Sequence, residues 1–203
     1  MPKQTFYNLP EDKKQLLLEA LEAEFSRVPF FEASISNIVK IADIPRGSFY
    51  QYFEDKEEAY FYLLNAQAEG IKETFVEHLK DNDGDLFQTM YDLYKWTLKE
   101  ISKSDGINLL RNAFLNMTHK TETTFYTIFN GKDHNQLDEI SCLINKHQLN
   151  IDKDSDLLFV MKIISSVTFH NLIEKLAKNI SDEEALNNYC FELKLLKEGL
   201  IKK

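Results

Sequence analysis

The sequence predicts an all-α protein, and three observations carry that expectation. Glycine and proline are scarce, 6 and 4 in 203 residues, so few breakers interrupt the chain. Apolar residues recur at three- and four-residue steps along most of its length, the period of an amphipathic helix. Helix-start chemistry stands where those periodic stretches begin: a proline, or a serine or aspartate with a carboxylate three residues on.

The first helix is expected from about Pro10 to Val28. Pro10 suits a first helical position, Glu11 and Asp12 suit the positive end of the helix dipole, and Leu17, Ala20, Leu21, Phe25 and Val28 share a face. Pro29 stops it. Ser34 reads as the N-cap of a short helix carrying Ile35, Ile38, Val39, Ile41 and Ala42. Asp43-Ile44 forms a turn, and Pro45 presets φ for a second short helix to about Phe53. Asp55-Lys56-Glu57-Glu58 opens a long helix to about Lys80, ended by the loop at 81–85. Further helices are expected at about 85–103, 106–118, 121–130, 133–148, 154–180 and 182–202. Ser181 and Glu184 form a capping box before the last. The natural division is a domain over 1–54 and another over 55–203, with the long helix joining them.

Composition narrows the function classes. Cys142 and Cys190 match no redox or metal spacing, no secretory leader pattern opens the chain, and no run approaches eighteen consecutive apolar residues. A cytoplasmic location with no membrane span follows as an expectation. Neither Glu-x-x-His pairs nor Gly-x-Ser-x-Gly, His-Glu-x-x-His, phosphate-loop or dinucleotide motifs occur, so no enzyme, catalytic residue, metal or cofactor is expected. The net charge of −9 argues against a nucleic-acid partner held by bulk charge, and residues 1–60 carry 7 Lys and Arg against 11 Asp and Glu. Any DNA contact must rest on a few placed residues.

Residues 34–53 supply a candidate for that placement: two short helices joined by a tight turn, the size and order of a helix-turn-helix. On a helical wheel Phe49 and Phe53 fall together, to pack on Ile38, Ile41, Ala42 and the first helix. Gly47, Ser48, Tyr50 and Gln51 fall opposite, with Tyr52 at the border and Arg46 reaching out of the first turn. That face bears hydroxyls, an amide, a guanidinium and no carboxylate, which suits a surface meeting phosphates.

The run from Ile38 through Ala42, the short turn, Gly47-Ser48-Phe49-Tyr50-Gln51-Tyr52-Phe53 and then Lys56-Glu57 resembles the signature of the TetR family of transcriptional regulators. The likeness covers about the first sixty residues. Two departures stand out: Asp43 where the family usually has glycine, and Pro29 near the usual glycine after the first helix. The resemblance implies an N-terminal three-helix DNA-binding domain and a helical C-terminal domain for ligand binding and dimerisation. It makes Arg46 and Gln51 candidates for base edges, guanine and adenine respectively, with a solvated surface residue as the other reading of each. Tyr50 and Tyr52 can donate hydroxyls to phosphate, Tyr52 having pure packing as its other reading. Ser34, Ser48, Lys40 and Lys56 become further phosphate candidates, Ser34 having a plain cap as its other reading. Gly47, costly inside a helix by about 1 kcal/mol, reads as a point of close backbone approach.

The segment 157–169 is apolar nearly all round, and Leu186, Tyr189, Leu193, Leu196 and Leu200 recur at helical steps. These two helices suit either a homodimer interface or the centre of one monomer's core. The resemblance implies the dimer, and with it a small apolar or aromatic effector held among Tyr91, Trp96, Phe114, Met117, Phe125, Phe129 and His170, the histidine having a hydrogen-bonded core residue as its other reading. The expected function is repression at a palindromic, double-stranded operator. The alternative is a helical ligand-binding or interaction protein with little DNA affinity.

Overall fold

In the computed structural model, which describes residues 1–103, 108–130 and 134–200, most of the described residues are helical and none forms a β-strand. Its helices are α1 (Gln4–Tyr7), α2 (Glu11–Arg27), α3 (Ile35–Ile41), α4 (Arg46–Tyr52), α5 (Lys56–Asp81), α6 (Leu86–Lys103), α7 (Asn108–Leu115), α8 (His119–Asn130), α9 (His134–Leu143), α10 (Leu157–Lys178) and α11 (Asp182–Leu200). The expected start and stop signals act within about a residue of where they are read, with Pro10 as the N-cap of α2 and not its first residue. Val28 is already extended ahead of Pro29. The Glu58 N–H donates to Asp55 Oδ1 at 2.8 Å, and the Glu184 N–H donates to Ser181 Oγ at 3.1 Å. Several boundaries differ: the helix expected at 106–118 ends at Leu115 and the one expected from 121 starts at His119. A short helix, α1, precedes the first expected one. The stretch expected as one helix at 133–148 stops at Leu143 and resumes as a 3-10 turn at Lys146–Gln148. Asp154–Asp156 is likewise a 3-10 turn leading into α10.

The sequence divides the chain after residue 54, whereas packing draws more into the first body. The described residues fall into two compact units, 1–67 with 108–121, and 68–103 with 122–130 and 134–200. α7 joins the first because it lies on α2, where Asn112 Nδ2 donates to the carbonyls of Phe25 and Ser26 at 3.0 and 3.1 Å. The core of this unit is Leu21 and Phe25 of α2, Ile38 of α3, Phe49 of α4 and Leu64 of α5, all fully enclosed. Ile41, expected in that core, is instead 53% exposed. The buried edge of α3 runs through Ile38 and Ala42, and Ile41 lies off it.

In the second unit α10 packs on α11 and α6. Tyr189 is buried with its hydroxyl 2.7 Å from Thr168 Oγ1, and its ring lies 4.1 Å from that of Tyr94. Gly84, in the left-handed region at φ 78, closes the turn after α5. A Cβ there would meet Leu143 O at 2.4 Å, while the Asn145 N–H donates to Gly84 O at 3.0 Å. By length and composition alone the segment Asp154–Lys178 is long and apolar enough to cross a bilayer, as the core helix of a water-exposed fold also is. Its burial of Leu157, Val160, Met161, Ile164, Leu172 and Leu176 against its own unit accounts for the apolar character.

Candidate nucleic-acid interface

The helix-turn-helix is assembled from three local decisions. Ser34, extended at φ −121, accepts the Ser36 N–H at 3.2 Å and so caps α3. Asp43 sits at φ 52, the left-handed conformation in which aspartate is among the better tolerated non-glycine residues. The Ile44 N–H then returns to Val39 O at 3.0 Å. Pro45, at φ −60, lets α4 start at Arg46.

A buried carboxylate that sequence patterning hid joins this motif to α2. Glu24 is 1% exposed and accepts two hydrogen bonds from Arg27, both 2.9 Å, one from the Ser34 N–H at 2.7 Å and one from Asn37 Nδ2 at 3.2 Å. Burial opposes its charge, but the hydrogen bonds from Arg27, Ser34 and Asn37 outweigh burial and hold its pKa below the ordinary value. An acid here reads as a solvated residue in the sequence. Arg27 is a local donor, three residues on in the same helix, but the donors Ser34 and Asn37 are tertiary neighbours, so no local motif announces the burial.

On α4 the wheel sorted the side chains as the structure does. Phe49 and Phe53 are wholly buried, their rings 5.6 Å apart. Arg46, Gly47, Tyr50 and Gln51 are exposed, and Ser48 and Tyr52 are half-buried. Arg46 Nη1 donates to Ser36 Oγ at 2.8 Å, which ties the exposed guanidinium across the turn by one of its five N–H groups. A Cβ added to Gly47 would meet nothing within 4 Å, so its open backbone is not required by packing inside the chain. Lys40 is exposed at the end of α3. Lys56, in contrast, is engaged: its ammonium donates to Ala33 O at 2.7 Å and lies 4.7 Å from the centre of the Phe30 ring.

The N-terminal segment adds contacts that the sequence did not signal. Lys3 and Thr5 reach the last carbonyls of α4, and the fully buried Phe6 ring lies 5.1 Å from that of Phe53, tilted, and 5.1 Å from that of Tyr62, edge to face. Four helical residues are too few to show periodicity, and an isolated phenylalanine carries no register.

The effector candidates fall in both units. Phe114, buried, and Met117, half-buried, belong to the first. Tyr91 and Trp96 are half-buried on α6 in the second, and Phe125 is buried with its ring 6.1 Å from Phe169. His170 is exposed on α10, so it is not a core histidine, while Asn171 is buried and donates to Glu192 Oε2 at 2.7 Å. The side chain of Phe129 lies outside the described residues. The second unit holds a cavity of about 400 Å³ walled by Ile140, Ile144, Leu157 and Met161, with Ser141 and Cys142 among its polar groups. None of the expected aromatics lines it. It lies at the end of α9, a break that residue periodicity does not mark.

Two short helices set across a left-handed turn, the second with an apolar back and a carboxylate-free front, define the fold of a helix-turn-helix DNA-binding regulator. Residues 17–61 match the family model described as bacterial regulatory proteins, tetR family, and residues 85–200 match the tetracyclin repressor-like C-terminal domain. The chain belongs to the TetR family. Among solved structures it is similar to a TetR-family regulator from Chloroflexus aurantiacus, at 23% identity over 100% of both chains with a TM-score of 0.53. It is similar also to SmeT, the repressor of the multidrug efflux pump SmeDEF of Stenotrophomonas maltophilia, at 15% identity over 93% of this chain and 90% of that one, TM-score 0.67. The fatty acid degradation regulator FadR from Bacillus halodurans gives 15% identity over 92% and 95%, TM-score 0.62. At such identities the likeness is one of fold. No curated protein matches the chain.

Proposed function

We propose that this chain is a cytoplasmic, homodimeric repressor that binds a palindromic operator through α4 and leaves it when a small apolar or aromatic molecule binds the C-terminal domain. The observation that carries the DNA-binding reading is the front of α4. In a chain with net charge −9 it exposes Arg46, Gly47, Tyr50 and Gln51 and no carboxylate. Arg46 and Gln51 take the base edges, Arg46 braced by Ser36. Tyr50, Ser48, Tyr52 and Lys40 meet the backbone, with Gly47 admitting close approach. Ser34 and Lys56 act at the same edge, though both already serve the motif's own architecture. On this reading residues 1–54 supply DNA contact and 55–203 supply ligand binding and dimerisation, with no enzymatic step and no cofactor.

Dimerisation through α10 and α11 is supported by large apolar side chains left in solvent on both. Phe159 is 66% exposed and Phe191 61%, with Ile163 and Leu195 also exposed. Two copies then present α4 to successive major grooves about 34–36 Å apart, or a multiple of that. For the effector, the half-buried Trp96 and Tyr91 and the cavity walled by Leu157 and Met161 provide apolar surface. The acidic N-terminal half favours one rival, a helical interaction protein that has kept the fold without DNA affinity. Pull-down of genomic fragments by the purified protein, followed by sequencing, separates the two. A recurrent inverted repeat supports the regulator, and retention no better than an unrelated acidic protein's defeats it.

A further inference from the structure

α4 has seven residues, a length that does not hold a helix in water without outside contacts. Like any helix it leaves its last four carbonyls without intrahelical donors. Here they belong to Phe49, Tyr50, Gln51 and Tyr52. Phe49 O is satisfied locally by the Phe53 N–H at 2.9 Å. The other three are met from one place far away in sequence. Lys3 Nζ donates to Tyr50 O at 2.8 Å, the Thr5 hydroxyl donates to Gln51 O, and the Lys3 N–H donates to Tyr52 O at 2.8 Å. The buried Phe6 ring, packed on Phe53 and Tyr62, anchors the donors. Every open carbonyl at this end of the helix therefore has its donor in Lys3 or Thr5. The residues so held are the ones proposed to face DNA.

We infer that Lys3–Phe6 is a clamp on the recognition helix, in which Lys3 and Thr5 are positioning residues that keep the last turn of α4 wound and Gln51 in register with its base pair. The part concerning DNA rests on the regulator reading above. Freed of the clamp, the last turn frays. Base-edge contacts need fixed geometry and suffer, whereas attraction to phosphate depends on charge and survives. The clamp thus acts on discrimination more than on general affinity for DNA.

The test uses the full-length protein with Thr5→Val and Lys3→Met, which remove one donor each and leave Phe6 in place. Against an operator recovered in the pull-down, each variant is expected to bind about three- to tenfold more weakly. Binding to a scrambled fragment of equal length should change by less than about twofold. Thr5→Ser restores the hydroxyl and should restore operator binding. The salt dependence stays the same in both variants. A slope shallower by about one for Lys3→Met would mean that Lys3 touches phosphate, and would overturn its positioning role. Amide hydrogen exchange decides the clamp without DNA. Amides of Gln51, Tyr52 and Phe53 should exchange faster in both variants while those of α2 and α10 are unchanged. Equal exchange in wild type and variants overturns the clamp. A wild type that retains no DNA defeats only the regulator reading, and the exchange result still stands.

Discussion

Two surfaces of this protein solve opposite problems. The outer face of α4 is polar, and its apolar residues Phe49 and Phe53 are satisfied within their own unit. α10 and α11 also bury a full apolar stripe, yet keep Phe159, Ile163, Phe191 and Leu195 in solvent. A helix that covers its apolar residues is complete within one chain and can offer its other face to a charged polymer. A helix pair that leaves phenylalanines uncovered is incomplete until something apolar arrives. The first surface is therefore tested by substitutions that change what it reads, and the second by substitutions that change how many chains assemble.

The largest effect is expected on the second surface. Phe159→Glu adds a charge to a residue that the single chain leaves exposed, so the monomer should fold normally by circular dichroism. If α10 and α11 form the dimer, losing an aromatic anchor from both copies costs about 2 kcal/mol or more for each. Light scattering should then give the mass of one chain, and operator binding should collapse. A persistent dimer would place the interface elsewhere.

Next comes the bond between α2 and the helix-turn-helix. Glu24→Ala leaves the Ser34 N–H and Asn37 without their acceptor and should lower unfolding stability by about 2–3 kcal/mol, measured in urea. The sign with pH follows from the depressed carboxyl. The stabilisation is fully present above the ordinary pKa of 4.5 and is lost as pH falls through the lower folded value. Glu24→Gln should remove that acid-side loss from the stability profile. A profile identical to wild type would mean that Glu24 does not couple to folding.

On the reading surface, Arg46→Ala or Gln51→Ala should each cost roughly 1–3 kcal/mol and relax sequence choice at a single operator position. Unchanged preference in a binding-site selection would dismiss both as readers. The smallest effect is expected at Asp43. Asparagine tolerates the same left-handed turn, so Asp43→Asn should leave stability alone and strengthen binding to all sequences by roughly 0.5 kcal/mol, most visibly at low salt. Weaker binding would give Asp43 a direct role in recognition.

How much of this was legible in the sequence depends on how far apart the partners lie. α4 could be sorted residue by residue because Phe49 and Phe53 are one turn apart and the 3.6-residue period decides which way each neighbour points. The strained turn showed as an aspartate in place of glycine, and φ 52 at Asp43 is its structural counterpart. Glu24 and Thr5 were not legible, since what makes each of them matter is a group ten or more residues away. Ile41 misled because it is apolar and in a helix, and only its angular offset from Ile38 and Ala42 sends it to solvent. The cavity was invisible for a different reason. It lies at the end of α9, and the residues after Leu143 carry no proline or glycine to mark a stop.

The carboxylate-free front of α4 stands on an acidic body, and this has a kinetic consequence. Charge complementarity speeds encounter by drawing partners in over distances comparable to the Debye length, about 8 Å at physiological salt. A body with net charge −9 does not draw DNA in. Association then falls toward the unsteered range, about 10⁵–10⁶ M⁻¹ s⁻¹, and sliding along arbitrary sequence is brief because little holds the protein there. If α4 reads an operator as proposed, the regulator arrives late at its site, wastes few copies on the rest of the chromosome, and owes its occupancy to slow departure.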